Sequence, residues 1–259
     1  MRFRFLCIAL AALGASSYSF GQTAYAVDGS DNLWSVNLAT GASTLIGNDG
    51  AFLEGLALSP GGVLYGTDTG GNVYTINTTT AASTLLGNNG FGNEEGLDFA
   101  GSNLWASNFS SPTTLNELNT TTGLGTGFSV TSAITDGVAR AMAFDPTDTF
   151  AFTLNDVAAG GQALWETTSA GVSTELGALT GVAGQTVAMK FDNNTGILWA
   201  LGEGGQIYQI NPLTGAATLT GSTGSQVWLD MAIAPAPEPV TMVALGAGVL
   251  ALAARKRRK

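Results

Sequence analysis

Arg140 and Lys190 are the only basic side chains between residues 22 and 236 of this 259-residue sequence. Both fall in a recurring polar pattern. Glu54, Glu95, Asp98, Asp136 and Asp230 belong to it, with Gln185 and Gln226 at related places. Each lies in, or just ahead of, one of five short apolar segments. Carboxylates and amides that converge in this way can bind a cation or hydrogen-bond a sugar. They can equally form an ion-pair network in which Arg140 and Lys190 offset neighbouring carboxylates. Histidine is absent and the single cysteine, Cys7, lies near the N-terminus, so acid–base chemistry would have to run on carboxylates, Lys190 or tyrosine. No catalytic constellation is legible, and neither a metal centre nor a cofactor is expected.

Tryptophan offers a second chemistry, stacking on sugar rings. Trp34, Trp105, Trp165 and Trp199 sit inside strand-like runs, at positions filled elsewhere by Tyr65, Tyr74 and Tyr208, which predicts core packing. Trp228 falls outside those runs, in an expected loop, and is the candidate exposed platform. Three loops that begin at Asp28, Asp68 and Asp192 are rich in Asp, Asn and Gly. They lack the closing bidentate carboxylate of a calcium loop and read as turns capped by Asx side chains.

The elements that must position these residues repeat. Gly55–Leu58, Gly96–Phe99, Ala141–Phe144, Ala188–Phe191 and Asp230–Ile233 begin 41, 45, 47 and 42 residues apart. Second strands follow at Val63–Asp68, Asn103–Asn108, Thr149–Thr153 and Ile197–Leu201. Third strands are clearest at Asn72–Asn77 and Gln206–Asn211, fourth strands at Ser83–Gly87 and Ala217–Gly221. The runs alternate with period two and end in Gly, Asn or Asp. Four strands in about 40–45 residues is the spacing of a propeller blade. The segment 23–47 supplies strands two to four of a blade without strand one, and Asp230–Ile233 is a strand one without successors. The expected fold is therefore all-β: a five-bladed β-propeller of four-stranded blades over 22–236, closed by pairing the N-terminal strands with the last strand. A β-sandwich with similar strand spacing is the alternative.

The two ends read differently. Residues 1–21 have a basic start (Arg2, Arg4), an apolar stretch and small residues, the pattern of a signal peptide. Cleavage after Gly21 is preferred to cleavage after Ala26, because Ala24–Asp28 is needed as a strand. Residues 237–259 hold Pro237-Glu238-Pro239, then 15 uncharged residues, Val240–Ala254, then Arg255, Lys256, Arg257, Arg258 and Lys259. A helix of that length spans about 22 Å, a marginal transmembrane helix whose basic end would stay cytoplasmic.

This tail resembles the PEP-CTERM sorting signal. The resemblance covers about the last two dozen residues and departs only in mixing Lys with Arg. It implies processing by an exosortase, a membrane-embedded cysteine-type transpeptidase of Gram-negative bacteria that make exopolysaccharide. It also implies a precursor anchored in the inner membrane and a mature protein at the cell surface or in the extracellular matrix. The repeats loosely resemble extracellular propeller repeats that precede such tails, which fixes no activity.

Residues 22–236 carry two basic and 18 acidic side chains, a net charge of −16. That field repels phosphate backbones and excludes a nucleic-acid partner. The expected function is that of an exported, non-enzymatic surface or matrix protein, associated with exopolysaccharide or biofilm. A carbohydrate- or cation-binding propeller using the channel mouth is the alternative, and a propeller hydrolase or lyase comes third.

Overall fold

The structure, a computed structural model, describes residues 22–234 apart from Ala159 and Ser225. The chain opens with β1 (Thr23–Asp28), β2 (Asn32–Asn37) and β3 (Ser43–Asn48). Next come β4 (Leu53–Leu58), β5 (Leu64–Asp68), β6 (Asn72–Ile76) and β7 (Ser83–Asn88). A third group follows, β8 (Glu94–Ala100), β9 (Asn103–Asn108), β10 (Thr114–Leu118) and β11 (Gly125–Thr131). The fourth is β12 (Ala139–Phe144), β13 (Phe150–Asp156), β14 (Gln162–Thr168) and β15 (Ser173–Ala178). The last strands are β16 (Thr186–Asp192), β17 (Ile197–Gly202), β18 (Gln206–Ile210), β19 (Ala217–Ser222) and β20 (Trp228–Ile233).

These strands form five antiparallel four-stranded sheets, the blades of a propeller. Blade 1 has the order β20-β1-β2-β3, so it joins the two ends of the chain. Ala24 pairs with Ile233 and Ala26 with Met231 across that closure. Blades 2 to 5 each use four consecutive strands, beginning at β4, β8, β12 and β16. The five-bladed all-β architecture read from the repeat is the one observed. The expected leader, 1–21, and the expected tail helix within 237–259 lie outside the described residues.

The inner strands β4, β8, β12, β16 and β20 stand side by side in a closed ring. One residue of each, at the same place in the repeat, anchors the core: Leu56, Leu97, Met142, Met189 and Met231 are all fully buried. Burying each such side chain stabilises by roughly 1.5–3 kcal/mol. A second ring of contacts runs around the rim. The turns between third and fourth strands start at Asn37, Asn77 and Asn119, whose Oδ1 atoms accept two backbone N–H bonds each. Such a turn presses on the outer strand of the preceding blade. A Cβ added to Gly41 would lie 2.1 Å from the Ser222 carbonyl oxygen, so blade 5 meets blade 1 here too.

Each inner strand also carries one β-bulge near its start. Register shifts between Leu53 and Gly55, Glu94 and Gly96, Ala139 and Ala141, and Thr186 and Ala188 leave Glu54, Glu95, Arg140 and Val187 as the extra residues. Leu229 is the extra residue in β20. A bulge re-aims a side chain out of the ladder, and here all five are turned to one place.

Candidate functional site at the propeller channel

The five bulge residues line one mouth of the channel, a narrow opening of about 60 Å³. Arg140 occupies it. Its Nη1 lies 3.3 Å from Glu95 Oε2 and its Nε 2.8 Å from Asp156 Oδ2. The guanidinium sits 4.6 Å from the centre of the Phe109 ring. Gln185 Nε2 donates to Asp156 Oδ2 at 3.3 Å. Burial pushes Glu95 up to about 7 although Arg140 opposes the shift, and burial also raises Glu54. A space of this size has room for one or two waters, and the ion pairs plug it.

The waist of the channel is tied by Lys190. Its Nζ donates to the Met142 carbonyl oxygen at 2.9 Å and lies 3.5 Å from Asp230 Oδ1. Asp230 Oδ2 accepts the Leu56 N–H at 2.7 Å, and Asp98 Oδ2 accepts the Phe144 N–H at 2.8 Å. These two carboxylates therefore link blade 1 to blade 2 and blade 3 to blade 4. Asp230 is fully buried, and desolvation pushes it up to about 7 because a cation at 3.5 Å offsets only part of that cost. Asp98 is raised for the same reason, again against Lys190.

The other mouth is a cavity of about 320 Å³ to which all five blades contribute. Asp98 and Lys190 form its polar floor. Phe99, Phe191, Pro60 and Pro146 give it apolar walls, and Ser59, Asn193, Asn194 and Asp148 stand among its lining groups. Lys190 is an ammonium with three donors, of which two have partners within the waist. A concave apolar wall with a few converging polar groups is the usual form of a small-molecule site.

The structure thus divides the candidate residues read from the sequence. Glu54, Glu95 and Arg140 meet at the narrow mouth, and Asp98 and Lys190 at the wide one. Three placements need correction. Asp230 lies in the sealed waist and reaches neither mouth. Asp136 is an exposed loop residue whose Oδ1 accepts the Ala158 N–H at 3.0 Å. Trp228 is not an exposed loop platform: it begins β20, is fully buried, and donates Nε1–H to Thr223 Oγ1 at 2.8 Å. Its ring packs edge-on against Trp34, 6.1 Å between centroids.

Sequence reading missed Asp156 and the aromatic walls. Asp156 ends β13 at the place where Asp28 and Asp68 end β1 and β5. Those two are saturated within their own turns. Asp28 accepts from Ser30 and Asn32 N–H and from the Trp34 indole, and Asp68 from Gly70 and Asn72 N–H and the Tyr74 hydroxyl. Among the described residues, no group of three or more carboxylates is arranged to hold a metal ion.

No family model matches the chain, and no curated protein matches it in sequence. Among solved structures it is similar to a gluconolactonase from Xanthomonas campestris, with a TM-score of 0.53 and 13% identity over 80% of this chain and 79% of that one. A Bacteroides fragilis protein provisionally assigned as a 6-phosphogluconolactonase gives a TM-score of 0.49 at 11% identity, over 85% of this chain and 99% of that one. Hydrazine synthase of Kuenenia stuttgartiensis gives 0.49 at 14% identity, over 74% and 62%. Of these, the gluconolactonase likeness shows a shared fold, and it assigns this chain no residue roles. The same likeness corrects the expectation that the chain is not an enzyme: a protein of similar fold is a gluconolactonase, so a non-enzymatic role is not to be read from this chain.

Proposed function

We propose that this chain is an exported propeller that binds a small polyhydroxylated ligand, neutral or cationic, in the wide mouth of its channel. The observation that carries this reading is that Asp98 and Lys190 both line a sugar-sized cavity walled by Phe99 and Phe191. Ring faces suit the C–H faces of a sugar, and the amides and carboxylates suit its hydroxyls. Asp98, Asp148 and Asp192 outnumber Lys190 around the cavity, which disfavours uronates and sugar phosphates. Calorimetric titration with glucose, glucosamine and galacturonic acid tests it. Binding of the first two that is lost in Asp98→Asn is expected; preference for galacturonic acid would show the charge argument to be wrong.

The same floor favours a reaction as well as binding. A carboxyl raised by burial, beside an ammonium with a donor to spare, suits the opening of a sugar lactone. Asp98 would take a proton from water as its oxygen adds to the lactone carbonyl carbon, while Lys190 holds the carbonyl oxygen. The ring C–O bond then breaks, and the alkoxide leaves with that proton. Acid release from gluconolactone above the spontaneous rate, absent in Asp98→Asn and Lys190→Met, is the expected result.

For the tail we propose a sorting role. Pro237-Glu238-Pro239, a short apolar segment and Arg255 to Lys259 occur in the order that a processing signal needs and a plain anchor does not. Intact mass of the protein from outer fractions of its host should lack Lys259; retention of Lys259 there sinks this reading.

A further inference from the structure

The wide mouth does not end at the channel. Gly101 and Asp148, which line it, also line a second hollow of about 280 Å³ between blades 3 and 4. Trp105, Phe128 and Phe144 line this hollow, with the Trp105 ring 5.7 Å from Phe128 and 6.1 Å from Phe144. Phe128 is 55% exposed. Asn103, Thr149, Thr167, Thr168 and Ser169 border the rings with amide and hydroxyl groups. Among the described residues, no basic side chain lines it.

The backbone gives an independent reason to look at the joint. The loop between first and second strands contains a left-handed residue in four blades. It is Gly62, Gly101 and Gly196 in three of them, and Asp148, with φ 56°, in blade 4. Glycine adopts this conformation without steric cost and aspartate does not. The sequence thus places a carboxylate where glycine would suit the backbone better, and that carboxylate stands where the two hollows meet. An unfavourable backbone kept at a cleft is a pointer to function.

We infer that the two hollows are one cleft holding a chain of neutral or amino sugars. One unit occupies the wide mouth, the next lies over the exposed Phe128 ring, which the buried Trp105 backs, and Asp148 accepts hydrogen bonds from the units it separates. The inference rests on the wide-mouth reading and extends it from one sugar to a chain. Aromatic faces bordered by hydroxyls match pyranose rings in sequence, and the acidic joint suits an amine.

The test is calorimetric titration of the full-length protein with chito-oligosaccharides and their de-acetylated counterparts, from monomer to tetramer. Affinity should rise about tenfold or more between monomer and trimer, equivalent to roughly 1.4 kcal/mol. Phe128→Ala should remove that gain and leave monomer binding intact, while Phe128→Tyr should keep it. Asp148→Gly should weaken trimer binding with an unchanged or higher Tm, which a merely structural role would not give. Monomer binding without any gain on lengthening, or a gain that survives Phe128→Ala, overturns the cleft and leaves the wide-mouth reading standing. Failure of every probe, monomers included, overturns both.

Discussion

Glu94 shows how far one side chain can depart from its type. It begins β8 and is fully buried, with Oε1 accepting from Asn116 Nδ2 at 3.1 Å and Oε2 without a partner. Burial pushes its carboxyl up to about 8. Asp230 and Glu95 rise to about 7 and Asp49 to about 6, in each case chiefly through burial. A carboxyl whose folded pKa exceeds its unfolded value binds its proton more tightly in the folded state. Its stabilising effect is full below the unfolded pKa and is lost as pH rises through the folded one. The domain should therefore be more stable near pH 5 than near pH 8.5. Glu94→Gln mimics the protonated acid. It should flatten this dependence and, near pH 8.5, stabilise by on the order of 1–3 kcal/mol. Glu175→Gln, at an exposed position, removes the same charge and serves as the control. Urea unfolding of the three proteins decides it; stability that climbs toward pH 8.5 would mean these carboxyls are ionised in the fold.

At the scale of the element, the bulge explains both what the sequence revealed and what it hid. Strand positions were legible because alternation and Gly, Asn or Asp boundaries survive in every blade. The extra residue near the start of each inner strand breaks that alternation by one. A period-two reading begun at Gly55, Gly96 or Asp230 therefore cannot carry back to Leu53, Glu94 or Trp228. Trp228 reads as a loop residue for this reason, although it precedes the bulge of β20 just as Leu53 precedes that of β4. The same offset sends Glu54, Glu95 and Arg140 to one mouth while Asp98 and Lys190, three residues beyond the bulge positions of their own strands, reach the other. The Trp105 hollow was hidden because its walls come from strands of two blades. Gly137 tests how tightly the loop before β12 is built. It has φ 83°, and a Cβ there would fall 1.2 Å from the Asp156 carbonyl oxygen. Gly137→Ala should cost about 3 kcal/mol or more and weaken the Asp156–Arg140 pair. Gly62→Ala, with φ 82° and open space around it, should cost only about 1–2 kcal/mol. Similar losses in thermal unfolding for the two would show that the loop moves aside.

For the whole molecule, the question is what keeps five blades in a ring. Each blade buries its faces against two neighbours, so an open ring exposes two apolar faces at once. Closure here has three independent parts. β1 pairs with β20 along a backbone ladder. Trp34 and Trp228 pack edge-on within blade 1, beside Ala188, Trp199 and Ile207 of blade 5. At the rim, the turn at Gly41 seats against Ser222. Lys190 and Asp230 add a tie across the waist between blades 4, 5, 1 and 2. All of these except the Lys190–Met142 bond depend on residues 22–48 or on β20. Deleting residues 22–48 should therefore abolish cooperative unfolding, since it leaves β20 unpaired and strips one face each from blades 2 and 5. Deleting residues 237–259 removes none of these contacts and should leave the melting temperature within about 2 °C of the parent. Gly41→Val is a gentler probe, because it disturbs the rim contact and leaves the β1–β20 ladder in place. It should lower the melting temperature by several degrees, about 2–4 °C for each kcal/mol lost in a domain of this size. Loss of cooperativity in the 22–48 deletion, read by calorimetry, is the decisive outcome; a cooperative transition of unchanged enthalpy would mean that four blades close by themselves.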